Sequence, residues 1–287
     1  MPLKNLNRAQ GLAVCLLLLS LGAGAPAAAQ STPAQPVAPD PSPSNLPESS
    51  HTCAQPCAQA TADRPISWKL LVPNILHDQK PIWLFPKTVA QGHHWKPAAG
   101  FIVATAGLVA LDPHDAPYFR RTNSFAGFNK TFSGNNAALG TMVAPLSFYA
   151  LGLVRKDAYA QHTSLLAAEA VGDVEILTTV MKDLDRRRRP WDVPVNGNYS
   201  DTWFEGHGSA LRGNGSFPSG HTIAAFSIAT IFADRYRRHR WVPWVAYGLA
   251  SVVGFSRITL QAHFPSDVFA GAALGYAVSH YVVLGSH

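Results

Sequence analysis

The residues that could perform chemistry lie in three short blocks, each at one end of an apolar segment. The block nearest the C-terminus, residues 256–267, contains Arg257, His263 and Asp267. Pro265 predicts a helix start, so His263 lies just outside the helix and Asp267 within its first turn, near enough to accept one imidazole N–H. A carboxylate in that role fixes the tautomer and makes the other ring nitrogen a better nucleophile. The alternative is an acid that balances the helix dipole beside an unrelated histidine.

A second block, Gly-Ser-Phe-Pro-Ser-Gly-His-Thr at residues 215–222, directly precedes another apolar run. Pro218 suits the first turn of a helix, and Gly220 permits close approach of the backbone. The unpaired amides of a helix N-terminus form an anion site, and His221 at its edge could give or take a proton near neutral pH. A plain turn with a solvent-facing histidine is the alternative.

The third block, residues 182–190, places two cations at the end of an apolar segment. Lys182 and Arg189 are seven residues apart, about two helical turns, so both can project from one side before Pro190 ends the helix. The alternative is a solvated basic helix end that complements the macrodipole.

Together the blocks supply three cations, an amide-lined anion cradle, two histidines and one carboxylate. Phosphoryl transfer needs such a set, because charge spreads over the equatorial oxygens and catalysis depends on positioning and electrostatic stabilisation. The sequence therefore predicts an enzyme that acts on phosphate.

The three blocks match, in order, K-x6-R-P, P-S-G-H and S-R-x5-H-x3-D. In this the chain resembles the superfamily of type 2 phosphatidic acid phosphatases and vanadium haloperoxidases, over roughly residues 98–287. Residues 215–222 are also similar to the bacterial class A acid phosphatase signature, with Phe217 where that group has tyrosine.

The resemblance implies a role for each matched residue. His263 would attack phosphorus, Asp267 would orient it, and His221 would protonate the leaving oxygen and then activate water against the phosphohistidine. The phosphoryl oxygens would be bound by Lys182, Arg189, Arg257, Ser219 and the Gly220 amide. It also implies no divalent metal at the site. The remaining arginines, 186–188, have no place in the motif and would bind the rest of an anionic substrate or meet solvent.

The elements that must position these residues are predicted to be helices. The 287 residues are 47% hydrophobic, enough for one well-buried core. Apolar segments rich in Ala, Leu and Gly recur at helical length without strand alternation, at Ala98–Leu111, Ala137–Val154, Ala158–Met181, Thr222–Tyr236, Val242–Phe255 and Ser266–Leu284. We therefore expect an all-α protein with a six-helix bundle of the haloperoxidase type as a phosphatase domain at residues 98–287, preceded by an N-terminal extension at 65–97.

The N-terminal segment predicts export. Residues 1–29 have two basic residues, an apolar run and an Ala-Ala-Ala sequence, which is typical of a cleaved signal peptide. Residues 30–64 are rich in Pro and Ala and are expected to form a disordered tether. Cys53 and Cys57 lie in this tether, where an oxidising compartment would allow a local disulfide.

The expected location is the periplasm or cell envelope. The net charge of +6 is concentrated in two short basic runs, which favours a phosphorylated small molecule or lipid over nucleic acid as partner. Several apolar segments are shorter than the ~20 residues of a membrane span, and one contains Glu169, Asp173 and Glu175. We therefore expect a soluble or peripheral bundle, with five membrane spans as the alternative.

The expected function is hydrolysis of phosphate monoesters or pyrophosphates, on a lipid or a small soluble substrate. In one alternative the pocket holds vanadate as a haloperoxidase cofactor and His263 coordinates vanadium; in a phosphatase, vanadate would instead be an inhibitor. A second alternative is a noncatalytic, anion-binding envelope module.

Overall fold

The computed structural model describes residues 64–206 and 213–285. The predicted signal peptide, nearly all of the tether and the Cys53–Cys57 pair lie outside these ranges. The described residues contain α-helices, a 3₁₀ turn and a π-helical turn but no strand, so the all-α prediction is confirmed.

Eight α-helices occur in the described ranges. They are α1 Leu71–Ala90, α2 Trp95–Arg121, α3 Ala126–Thr131, α4 Gly134–Arg155, α5 Ala158–Asp185, α6 Gly220–Arg235, α7 Trp241–Thr259 and α8 Pro265–Ala277. A 3₁₀ turn, Pro190–Asp192, follows α5, and a π-helical turn, Val278–Val283, continues α8. All six predicted segments are helical, and α1 and α3 are additional.

The predicted end of the first segment at Leu111 is ten residues short. The α2 helix continues to Arg121 through Pro113 and Pro117. Proline removes a backbone hydrogen bond and usually ends a helix, but packing of α2 on α8 retains the helix here. The extra turns bring the buried Asp112 to the start of α8.

The boundary predicted at residues 97 and 98 falls within the first turn of α2. The α1 helix, in the predicted extension, packs against α5, and the α5 residue Gly172 lies directly beside Ile75 of α1. Side chains from both helices, including Ile82 and Val174, share one apolar cluster.

The α6 helix is the centre of the bundle and packs against α5, α7 and α8. Its Ile223 and Ile231 are fully buried, and each contributes about 1.5–3 kcal/mol by leaving water. Close packing of α8 on α6 requires small residues, since a Cβ on Gly271 would lie 2.8 Å from the Ser219 carbonyl oxygen. This contact fixes the start of α6 against the first turns of α8.

Candidate active site

The eight predicted site residues lie together where four helices meet. Lys182 lies in the last turn of α5, and Arg189 directly precedes the 3₁₀ turn. Ser219, Gly220 and His221 lie at the start of α6, and Arg257 lies at the end of α7. His263 lies just before α8, and Asp267 lies in its first turn. The structure therefore brings the three sequence blocks together.

A tight loop between α7 and α8 places His263. The backbone amides of Ala262 and His263 both donate to the Arg257 carbonyl, at 3.0 and 3.3 Å. The loop therefore folds back on the end of α7, and the histidine and arginine of the third block are brought together by local backbone hydrogen bonds.

The contact between His263 and Asp267 differs from the prediction. The nearest carboxylate oxygen of Asp267 is 3.7 Å from His263 Nδ1, which is beyond hydrogen-bond distance. His263 Nδ1 is instead 2.6 Å from the backbone carbonyl of Ser216. Ser216 in turn donates its hydroxyl to Asp267 at 2.6 Å, so the carboxylate supports the imidazole through Ser216.

This arrangement selects the tautomer of His263. A carbonyl oxygen only accepts, so Nδ1 carries the hydrogen and Nε2 keeps its lone pair. Burial lowers the pKa of His263 to about 4, and the Lys182 cation acts in the same direction against the opposing effect of Asp267. The ring is therefore neutral at neutral pH, and its Nε2 lone pair could act as a nucleophile.

The other histidine, His221, is fixed by the N-terminus of α4. Its Nε2 lies 3.1 Å from the Gly134 carbonyl, which leaves Nδ1 to exchange a proton. Burial, with a smaller contribution from the Arg257 cation, lowers the pKa of His221 to about 4. A bound phosphate dianion would offset the effect of Arg257, so an anionic ligand favours the acid form of His221.

Lys182 and Arg189 have their polar ends available for a ligand. Neither side chain makes a hydrogen bond or ion pair with a residue in the described ranges, although Arg189 stacks over Trp191 at 5.1 Å. Burial lowers the pKa of Lys182 to about 8, and the nearby Arg189 cation contributes. A Cβ on Gly220 would lie 3.3 Å from Lys182 Nζ, so the ammonium lies over the start of α6.

The third cation, Arg257, is nearly completely buried and held by neighbouring oxygens. Its Nη2 donates to the Phe132 carbonyl at 2.5 Å and to Ser256 Oγ at 2.8 Å. Burial lowers the pKa of Arg257 to about 10, which leaves it charged at neutral pH.

The N-terminus of α6 provides the predicted amide cradle. The Ser219 amide donates to the Asp267 carbonyl at 3.0 Å, which locks the start of α6 to α8. The first i→i−4 bond runs from the Ile223 amide to the Ser219 carbonyl at 2.9 Å, so the amides of Gly220, His221 and Thr222 have no acceptor within the helix and can bind an anion. Ser219 Oγ accepts from Thr222 Oγ1 at 2.8 Å and can still donate its own hydrogen.

Sequence reasoning missed the role of Arg187, which we expected to face substrate or solvent. It is buried, and its guanidinium lies 4.4 Å from the Trp203 ring and 4.1 Å from the Phe264 ring. Its Nη1 donates to Asp267 Oδ1 at 2.5 Å, and its Nη2 donates to Asp112 Oδ2 at 2.6 Å. Arg187 is therefore an internal anchor for Asp267.

The charge on Arg187 determines the state of Asp267. Burial alone would raise the pKa of Asp267, but Arg187 and then His263 hold that pKa below its ordinary value. Burial raises the pKa of Asp112, which Arg187 opposes. Asp112 also accepts from the Ser266 amide at 3.2 Å, so α2 supports the third block directly.

The other arginines of the run have different surroundings. Arg186 is exposed and ends α5 in the left-handed conformation, with φ of 43°. Arg188 donates to the Asp192 carbonyl at 2.7 Å and lies 3.9 Å from Glu205. Of Arg186, Arg187 and Arg188, only Arg187 is buried in the interior, and a tertiary structure is needed to show which of the three it is.

Comparison with known proteins identifies a similar family. The model of the PAP2 superfamily matches residues 161–286, which include all three sequence blocks. This match confirms the resemblance that the motifs predicted. The matched residues, called the PAP2 segment below, begin within α5 and end just after the π-helical turn.

Three similar proteins illustrate the relationship. The chain is similar to a lipid A 1-phosphatase of Porphyromonas gingivalis, 42% identical over 83 residues, which are 29% of this chain and 18% of the relative. A lipid A 4'-phosphatase of the same organism is 31% identical over 108 residues, 38% of this chain and 44% of the relative. Among solved structures, a transmembrane PAP2 type phosphatidylglycerolphosphate phosphatase from Bacillus subtilis is 21% identical, with a TM-score of 0.40, and the match covers 72% of this chain and 94% of that one. The matches span less than half the length of these curated relatives.

Proposed function

We propose that the protein is a phosphatase that hydrolyses the phosphate monoester or pyrophosphate of a lipid through a phosphohistidine on His263, without a divalent metal in the phosphate pocket. The observation that carries the proposal is the buried, neutral His263, whose Nδ1 is committed to a carbonyl while its Nε2 remains nucleophilic. Lys182 and Arg189, which have no hydrogen-bond or ion-pair partner among the described residues, and the amide end of α6 lie beside it.

The reaction follows in two displacements. In the first, His263 Nε2 forms a bond to phosphorus as the bond from phosphorus to the leaving oxygen breaks, and His221 donates a proton to that oxygen. In the second, His221 takes a proton from water, the water oxygen bonds to phosphorus, and the bond to Nε2 breaks. The three cations and the amides stabilise charge on the equatorial oxygens in both steps.

The proposal of a lipid substrate rests on two kinds of support. The relatives named above are lipid phosphatases by name. The chain also has an exposed apolar surface of the kind that marks a membrane contact. An apolar window of α4 has a mean hydropathy of 1.7, and only 17% of this window is buried. Among the described helices, α4 alone is long and apolar enough to cross a membrane. Other helices also have exposed apolar side chains, with Val103 of α2 71% exposed and Trp244 of α7 83% exposed.

We propose that this surface lies against a membrane and that residues 1–29 direct export, which would place the site outside the cytoplasm. Extraction of the full-length protein tests the first part. Release by detergent but not by high salt supports burial of the apolar surface in lipid, and release by salt or by cell disruption alone contradicts it.

The activity is tested with purified protein in EDTA. We expect phosphate release from one or more of p-nitrophenyl phosphate, phosphatidic acid, an isoprenyl pyrophosphate and lipid A 1-phosphate, inhibited by vanadate and abolished by His263→Ala. Brief reaction of His221→Ala with labelled substrate should accumulate label that is stable to alkali and lost in acid.

Several results would contradict the proposal. Turnover that survives His263→Ala would exclude His263 as the nucleophile. Vanadate-dependent oxidation of halide by peroxide would favour the haloperoxidase alternative, and binding of phosphate analogues without turnover of any ester would favour a noncatalytic module.

A further inference from the structure

A second polar cluster lies within the bundle, away from the phosphate pocket. It consists of Asp78 from α1 and Glu169 and Asp173 from α5, whose side chains are 0–1% exposed. One carboxylate oxygen from each lies within 4.8 Å of the others. Asp173 precedes Lys182 by nine residues, about 13 Å along α5, so the cluster is separate from the catalytic groups.

Polar neighbours orient each carboxylate of this cluster. The Arg64 guanidinium donates to both oxygens of Asp78, at 2.7 and 2.8 Å, and lies 3.0 Å from Glu169 Oε1. Asn74 donates to Glu169 Oε2 at 3.0 Å, and Gln79 donates to Asp173 Oδ1 at 3.0 Å. Donors of this kind hold the carboxylates of metal sites in position.

Two oxygens of the cluster accept no hydrogen bond within residues 64–206 and 213–285, Glu169 Oε1 and Asp173 Oδ2. Glu169 Oε1 lies 3.0 Å from the Arg64 guanidinium, whereas no such cation lies beside the buried Asp173 Oδ2 in these ranges. A buried polar atom without a partner costs about 1–3 kcal/mol, so its presence requires an explanation.

The charge balance of the cluster also indicates that a cation is missing. Three carboxylates and one guanidinium sum to −2 when all are ionised, which a single divalent cation would neutralise. Burial, together with the charges of Asp78 and Glu169, raises the pKa of Asp173 to about 8. The cluster therefore lacks positive charge at Asp173.

We propose that Asp78, Glu169 and Asp173 bind one divalent cation of the size of calcium, with Asp173 Oδ2 as a direct ligand. Each carboxylate oxygen has two lone pairs, so an oxygen that accepts from Arg64 can still bind a metal. Oxygens within 4.8 Å of one another can reach one cation at the ligand distance of calcium, about 2.4 Å. Calcium accepts a flexible ligand geometry, whereas magnesium requires near-ideal octahedral geometry at about 2.1 Å.

The bound cation would join α1 to α5 and thus attach residues upstream of the PAP2 segment to the catalytic bundle. Its role is structural, because the cluster does not touch the phosphate pocket. Chelation should consequently lower thermal stability while leaving hydrolysis at low temperature intact.

The test uses the full-length protein, stripped with chelator and then dialysed. Thermal unfolding is followed with EDTA, calcium chloride or magnesium chloride, and calcium binding is measured by titration calorimetry. We expect one calcium per chain and a rise in Tm of about 5–10 °C at a hundredfold excess over Kd, with a smaller rise for magnesium.

Asp173→Asn is the decisive variant, since the amide has the shape of the protonated acid and should fold. It should bind no calcium and show no rise in Tm, whereas the exposed Asp115→Asn should behave as the parent protein does. Absence of calcium binding by the parent, or an equal response of Asp173→Asn, would overturn the proposal. A stability change between pH 6 and 9 that is insensitive to calcium would show that Asp173 holds a proton instead.

Discussion

Replacement of Arg187 by methionine is expected to destabilise the protein strongly and to impair catalysis. Arg187 donates to two buried carboxylates, Asp112 and Asp267, at 2.6 and 2.5 Å. Methionine keeps much of the apolar stem between Trp203 and Phe264 but leaves both carboxylates without their cation.

The magnitude follows from the cost of an uncompensated buried charge. Removal of one partner from a buried ion pair costs about 3–5 kcal/mol. That is a large part of the 5–15 kcal/mol by which domains are typically stable. Part of the loss should be recovered in Arg187→Met/Asp112→Asn, because the second change removes one stranded charge; we expect a coupling of about 1–3 kcal/mol.

The pH dependence provides a second measure. Asp267 has a depressed pKa in the folded protein, so its ionisation stabilises the fold above the ordinary carboxyl pKa, and this stability is lost as pH falls through the folded pKa. Without Arg187 the folded pKa of Asp267 rises. The variant should therefore begin to lose stability at a higher pH than the parent does.

Urea unfolding at several pH values measures these effects, and kcat/KM for p-nitrophenyl phosphate measures catalysis. Arg186→Met is the matched control: its guanidinium is exposed, so its free energy of unfolding should change by no more than about 0.5 kcal/mol. We expect kcat/KM to fall at least about tenfold in Arg187→Met and to be unchanged in the control. Equal stability and activity of the two variants would refute the assignment of Arg187 as the anchor of Asp267.

Three further predictions concern the pocket and its packing. Gly220→Ala places a Cβ 3.3 Å from Lys182 Nζ, so KM should rise about three- to tenfold in steady-state assays. The free energy of unfolding of this variant should be equal to or greater than that of the parent. Gly248→Ala is the control: its Cβ has open space around it, so KM should not change. Because Lys182 has a pKa of about 8, its ammonium loses its charge above pH 8, and inhibition by inorganic phosphate should weaken there. Lys182→Arg should remove this pH dependence of inhibition. The same pH profile in both proteins would show that another group titrates. Gly271→Ala would bring a Cβ within 2.8 Å of the Ser219 carbonyl oxygen, a backbone atom that cannot move away. The variant should be destabilised by about 1–3 kcal/mol in urea unfolding. A loss of stability as small as that of Gly248→Ala would contradict the close packing of α8 on α6.

Much of the pocket could be predicted because its parts are local in sequence. Lys182 and Arg189 are separated by about two helical turns, and Pro218 and Pro265 mark helix starts. Helix periodicity and terminal residues depend on neighbours a few positions away, and a sequence shows these directly. Six helices and the ends that carry the chemistry follow from such signals.

The contacts between blocks could not be predicted in the same way. The Nδ1 of His263 donates to the carbonyl of Ser216, 47 residues earlier, and Asp267 depends on Arg187, 80 residues earlier. Asp112 is 75 residues from Arg187, and its α2 helix runs through prolines that suggest an earlier end. No local pattern contains these pairings.

The sequence by itself determined which residues are candidates for phosphate chemistry and that they stand at helix ends, because residue type and short spacing set both. Only the tertiary structure decided which of four consecutive arginines enters the core, which oxygen fixes the tautomer of His263, and that Asp78 meets Glu169 and Asp173. The physical reason is that burial and charge pairing depend on how α1, α2, α5 and α8 pack. That packing sums many weak contacts between residues far apart in the chain.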